Sequence, residues 1–169
     1  GSPGCAQAPV GYTYDGMISN DTFPGTSLPS GWSSLGKVSV GGGQVTVTGA
    51  GSWTDLVYKS AEDLPDGTGV EWDFRIYGSG TQQGQFYLDH GDWGTPAYRR
   101  WGLSYLNGIL KTVVISGTVN TGGLELMNYS ANTWYRARLV VDGLNEFSLL
   151  VWEQGNPANY AAYRNRMDD

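Results

Sequence analysis

The chain has 169 residues, enough for one well-buried domain and short for two; 26 glycines, 7 tryptophans, 11 tyrosines and only 15% charged residues point to short strands and turns, not helices. A net charge of −6 argues against nucleic acid as partner, because phosphate contacts need clustered Lys and Arg. No apolar run approaches the roughly 18 residues of a membrane-spanning helix, so no membrane insertion is expected, and with no leader pattern the chain reads as a mature form or an excised segment.

Residues 1–20 read as a linker or N-terminal arm, rich in Gly, Pro, Ala and Ser without a sustained period. Within them Gly11-Tyr12-Thr13-Tyr14-Asp15-Gly16 resembles one copy of the YD repeat of Rhs-type secreted proteins. Cys5 is the single cysteine, which excludes an internal disulfide and a Cys-based zinc cluster. A free thiol on a flexible tail is the plain reading, and an intermolecular disulfide is the alternative.

From Asp21 to the end at Asp169 the pattern is that of one β-sandwich domain. A turn-rich segment bracketed by Phe23 and Trp32 comes first, then candidate strands at 37–40, 44–48, 53–59, 69–77, 84–89, 98–106, 109–116 and 123–128. Thr133 to Glu153 follows as a β-hairpin. Tyr135, Ala137, Leu139 and Val141 alternate with Trp134, Arg136, Arg138 and Val140, and Phe147, Leu149 and Val151 repeat the period. Asp142 to Glu146 supplies the turn, in which Gly143 and Asn145 tolerate positive φ. The best helical candidate, Asn159 to Met167, is short and terminal. Strands at such spacing predict an all-β fold, a two-sheet antiparallel sandwich or a barrel.

Phe23 to Trp32, the strand Val70-Glu71-Trp72-Asp73-Phe74-Arg75 and the Thr133-Trp134-Tyr135 hairpin together resemble the concanavalin A-like lectin/glucanase superfamily, which includes laminin-G-like domains and many carbohydrate-binding modules. The resemblance covers about 21 to 160. It implies a jelly-roll sandwich of two antiparallel sheets, with sugar bound on the concave face or its rim. Glucanases of this group use a Glu-x-Asp-x-Glu strand motif that puts both catalytic carboxylates on one face, about 5–5.5 Å apart for retention. Here Glu71 and Asp73 share a face, but Arg75 stands where the second Glu belongs. A cation there keeps neighbouring carboxylates ionised, which does not suit a general acid. No glycosidase is expected, and no nucleophile motif accompanies the single histidine, His90.

Alternation places Val70, Trp72, Phe74 and Ile76 inward and Glu71, Asp73, Arg75 and Tyr77 outward. It likewise places Phe86, Leu88, Trp101, Leu103 and Tyr105 inward, and Gln85, Tyr87, Asp89, Tyr98, Arg100, Gly102 and Ser104 outward. If these strands share one sheet, its outer face mixes Arg, Asp, Tyr and Trp, the composition of a sugar site. The competing account is a cross-strand ladder of opposite charges, worth roughly 0.2–1 kcal/mol per pair. The candidate ligand contacts are Trp93, Tyr98, Arg100, Trp134, Arg136 and Trp152, while Trp32, Trp72 and Trp101 are assigned to the core. The resemblance also raises a structural calcium. Asp63, Asp66, Asp89 and Asp92 are the candidate loop carboxylates, but they form no dense ligand run, and solvated carboxylates are the alternative.

The expected function is therefore a non-catalytic, lectin-like module that binds a polysaccharide or glycan, in an extracellular or cell-surface protein. The rival is an assembly module. After Trp152 no alternating apolar run supplies a closing strand, and an uncovered sheet edge templates pairing with another chain. The N-terminal arm could fill that gap by self-association. A construction cut short, or a terminal helix over the edge, is the plainer alternative.

Overall fold

The computed structural model describes residues 21–48, 55–60, 66–78 and 82–166. The expected arm at 1–20 lies outside them. The elements in chain order are β1 (Trp32–Leu35), β2 (Val38–Gly41), β3 (Gln44–Val47), β4 (Leu56–Lys59), β5 (Thr68–Arg75), β6 (Gln83–His90), β7 (Arg99–Leu106), β8 (Ile109–Ser116), β9 (Val119–Asn120), β10 (Glu125–Asn128), β11 (Trp134–Val141), β12 (Glu146–Glu153) and β13 (Asn156–Arg166). The described residues contain no helix, and they divide between two compact units, 21–60 and 66–166.

The first unit holds two small antiparallel pairs, β1 with β4 and β2 with β3. In the β2–β3 hairpin Gly41 pairs with Gln44, leaving the two-residue turn Gly42-Gly43. Their φ values of 63° and 81° are the left-handed pair that a type I′ turn requires, at no steric cost to glycine. Trp32 meets Phe23 edge-on at 5.3 Å, and Lys59 pairs with Asp21 at 2.9 Å. Trp32, expected in a core, is only half-buried here.

The second unit is a two-sheet antiparallel sandwich. One sheet runs β10-β8-β7-β6, with β9 also on β8; the other runs β13-β12-β11-β5. Two meanders are thus joined by two crossings, β5 to β6 and β10 to β11. Alternation decides what each sheet buries. Phe74, Tyr135, Ala137, Leu139, Phe147, Leu149 and Val151 face Trp101, Leu103, Leu110 and Val114 across the interior. Phe86 bridges the layers, 4.9 Å from Phe74 and 6.1 Å from Trp72. Leucines that are fully covered, such as Leu103, Leu110 and Leu139, each contribute about 1.5–3 kcal/mol. Trp101 is buried and Trp72 packs on the same core half-buried, as assigned.

The chain's end corrects one expectation. Asn156–Arg166 is a strand, not a helix, and it pairs along the whole of β12 from Glu146↔Arg166 to Glu153↔Asn156. Tyr163 packs its ring 5.8 Å from Phe147. β12 therefore lies between β11 and β13, and the uncovered edge expected after Trp152 is occupied.

Candidate functional site

The six candidate contacts do not share one sheet. Trp93, Tyr98 and Arg100 belong to the β6–β7 side, and Trp134, Arg136 and Trp152 to the β5–β11–β12 side. Two patches result, one on the outer face of each sheet.

The β6–β7 patch is built around Arg100. Asp92-Trp93-Gly94-Thr95 closes as a turn, with the Thr95 N–H donating to the Asp92 carbonyl at 3.1 Å and Gly94 at φ 82°. That positive φ at the third position is what a type II turn requires. Trp93 stands at the corner, 65% exposed, its ring edge-on to Tyr98 at 5.1 Å. Tyr98 itself is 1% exposed, so it supports the patch from behind and offers a ligand no surface. Its hydroxyl accepts from Arg100 Nε at 2.9 Å and donates to Asp89 Oδ2 at 3.0 Å. Arg100 Nη1 donates to Gln85 Oε1 at 3.1 Å, and the guanidinium lies 4.0 Å from the centroid of the Tyr87 ring. Burial foremost raises the Tyr98 phenol above its ordinary value, against the lowering pull of Arg100.

Tyr87 was placed outward by the alternation but not among the contacts. Its cross-strand neighbour is Gly102, and Arg100 is its diagonal neighbour. A Cβ at Gly102 would sit 2.2 Å from the Phe86 carbonyl oxygen and 2.8 Å from Tyr87 Cα. Glycine there lets β6 approach β7 closely and leaves Arg100 to cover the ring.

On the other sheet Trp134 pairs with Arg75 across β11–β5. The Arg75 guanidinium lies 4.8 Å from the Trp134 ring and 5.0 Å from Tyr77, and its Nη2 donates to the Tyr77 hydroxyl at 3.1 Å. One register row across the sheet reads Asp73, Arg136, Trp152, Tyr160. Arg136 donates to Glu71 Oε2 and Asp73 Oδ1, both at 2.7 Å, and Gln154 Nε2 donates to Asp73 Oδ1 at 2.7 Å. Burial alone would lower the Arg136 guanidinium, but the bonds and charges of Asp73 and Glu71 outweigh it and hold it above its ordinary value. Trp134 and Tyr77 are exposed at the edge of this face, and Trp152 is half-buried within it.

Glu71 and Asp73, the two carboxylates of the motif compared with glucanases, are thus both bound by one arginine. For a calcium, Asp63 lies outside the described residues, and Asp66, Asp89 and Asp92 are all exposed. Among the described residues no group of three or more His, Cys, Asp or Glu comes together. No family model, curated protein or solved structure matches the chain.

Proposed function

We propose that the sandwich is a non-catalytic carbohydrate-binding module, with glycan held against Trp93 and Arg100. The observation that carries this reading is Trp93, a 65% exposed indole fixed at a turn and braced edge-on by Tyr98. Pyranose rings present flat C–H faces that stack on aromatic rings, and hydroxyls at their rims that take in-plane hydrogen bonds. A braced indole loses little side-chain entropy on contact. Arg100 is oriented by Tyr98 and Gln85, so its position costs little to hold when ligand arrives. The acidic chain favours neutral glycans over anionic ones. The lectin-like resemblance of the sequence supports the same class, and an extracellular or cell-surface location is proposed with it.

Absence of hydrolysis belongs to the same proposal. Its support is Arg136, which occupies both carboxylates of the β5 motif, together with Arg75 in the place of the second Glu. The assembly alternative was argued from an unfilled edge at β12, and β13 pairs there, so the carbohydrate reading is the one put forward.

The test is affinity electrophoresis in gels containing mixed-linkage β-glucan, xylan, galactomannan, dextran or pectin, followed by a glycan array. Retardation by at least one neutral polysaccharide is expected, weakened about tenfold in Trp93→Ala, which is about 1.4 kcal/mol. Binding to none of these glycans sinks the reading. Reducing-sugar release that disappears in Glu71→Gln or Asp73→Asn would show that the motif is catalytic after all.

A further inference from the structure

We infer that one chain carries two glycan sites and bridges two polysaccharide molecules, the second site being the Arg75–Tyr77–Trp134 patch. This deepens the carbohydrate-binding reading above and rests on it.

The two patches were assembled from different strands, yet each sets one arginine between a tyrosine and a tryptophan. In each, a guanidinium lies against a tyrosine and a tryptophan: Arg100 with Tyr87 and Trp93, Arg75 with Tyr77 and Trp134. In each, a tyrosine hydroxyl accepts a hydrogen bond from that arginine, Tyr98 in one and Tyr77 in the other. Each also has a glutamine and an aspartate on the same face. Gln85 and Asp89 join the first network, and Gln154 is bonded to Asp73, two positions before Arg75. Flat apolar surface beside fixed donors and acceptors is what a sugar ring and its hydroxyls require.

Cross-strand contact alone leaves ring surface available to a ligand on a solvent face. Here the rings are open: Tyr77 is 49% exposed and Trp134 is 37% exposed, at a corner of the sheet where β5 and β11 end. The Arg75 guanidinium lies at nearly equal distance from both rings, 5.0 Å from Tyr77 and 4.8 Å from Trp134.

The placement determines what two sites can do. Outer-face side chains of a two-layer sandwich point away from each other, with layers spaced about 10 Å apart between them. A single stiff polysaccharide cannot lie on both faces without turning around the edge of the molecule. Two sites so disposed engage two chains, or two distant segments, and a network forms when both are occupied.

The experiment uses the full chain and beads coated with whichever of mixed-linkage β-glucan, xylan, galactomannan or dextran retards it. Wild type is expected to bind the beads and clump them, and to take up about two oligosaccharides of that polysaccharide per chain in calorimetry. Trp93→Ala and Trp134→Ala should each still bind, at about one oligosaccharide per chain, and neither should clump. The double variant should not bind. Tyr77→Ala serves as the second variant of the new site if Trp134→Ala fails to fold. Binding by wild type without clumping overturns bivalency and leaves the first site standing. Clumping that survives in Trp134→Ala or Tyr77→Ala also overturns it. A dimer with one site per chain would show a different pattern: Trp93→Ala would weaken every site about tenfold and Trp134→Ala would change nothing. Failure of wild type to bind any of the polysaccharides or any glycan of the array defeats the carbohydrate reading itself, and bivalency with it.

Discussion

On the β6–β7 face Arg100 is held by neutral groups, the Tyr98 hydroxyl and the Gln85 amide, and lies flat on Tyr87. On the β5–β11 face Arg136 is held by two carboxylates, and the ring-stacking role passes to Arg75 at the edge. The first face uses its arginine to display rings. The second uses one arginine to tie β5 to β11 and another to display rings. Charged residues on a sheet surface are thus not one class: what each guanidinium touches decides whether its loss is felt as stability or as recognition.

The harshest way to break the comparison is at the backbone. Gly102→Ala should force β6 from β7 and cost about 3 kcal/mol, roughly 10 °C or more in thermal midpoint. Gly69→Ala on the other face meets the Val140 methyl at 3.2 Å and the Leu139 carbonyl oxygen at 3.5 Å, and should cost under about 1 kcal/mol. Equal losses would show that the close approach of β6 and β7 is not what separates the faces.

Next comes Arg136→Ala, which removes the shared partner of Glu71 and Asp73. The Glu71 side chain is only 10% exposed, and loss of a hydrogen-bonded charge partner there should cost about 2 kcal/mol in urea denaturation. Arg136→Lys should recover part of it, because an ammonium cannot reproduce the fork that spans two carboxylates. A loss within error of zero would mean the clamp is a surface pair of no consequence.

Tyr98→Phe should cost about 1 kcal/mol at neutral pH by removing the hydroxyl between Arg100 and Asp89. The folded state raises this phenol's pKa, so its contribution is full below the ordinary value of about 10 and fades as pH climbs through the raised one. The gap between wild type and Tyr98→Phe should therefore narrow in alkali. A gap that widens above pH about 10 would reverse the assigned direction.

Trp93→Ala should have the smallest effect on stability, under about 0.5 kcal/mol, since the indole is mostly in water. Its effect on polysaccharide retardation should be the largest among these substitutions. A variant that unfolds early would recast Trp93 as a structural brace.

Strands whose residues alternate strictly were legible from sequence. β5 to β8, β11 and β12 lie where Val70-Glu71-Trp72-Asp73-Phe74 and its counterparts placed them, and the inward residues Phe74, Trp101 and Leu103 are buried, whereas Tyr98, expected outward, is buried as well. β13 was not legible. Asn156-Pro157-Ala158-Asn159-Tyr160-Ala161-Ala162 has no β-branched residue, and its strand conformation comes from pairing with β12 and from Tyr163 against Phe147. The hairpin turn was half legible. Gly143 takes φ 84° as expected, whereas Asn145 is not among the left-handed residues and instead accepts from Arg99 Nε at 3.4 Å. For the site, alternation told which side chains face outward but not which sheet each strand joins. That partition is set by pairings between strands far apart in sequence, such as β5 with β11, and local period carries no information about them. So the six contacts fall into two groups on different sheets, with Tyr98 buried behind one of them.

The pairing of β5 with β11 also has a kinetic side. Arg136 finds Glu71 across 65 positions of sequence, while β6–β7–β8 and β11–β12–β13 are joined by short turns. Each meander can form from local contacts, but β5 gains its partner only by closing a loop that contains the entire other sheet. The entropy of that closure must be lost before its hydrogen bonds form, so β5 is expected to dock late. Substitutions at the β11–β12 interface, such as Leu139→Ala, should slow refolding, whereas Phe74→Leu in β5 should chiefly hasten unfolding. Because closure entropy grows only with the logarithm of loop length, doubling the enclosed segment would add only about 0.6 kcal/mol. Turns within the enclosed segment, β6 to β10, can therefore be lengthened at little cost in closure entropy.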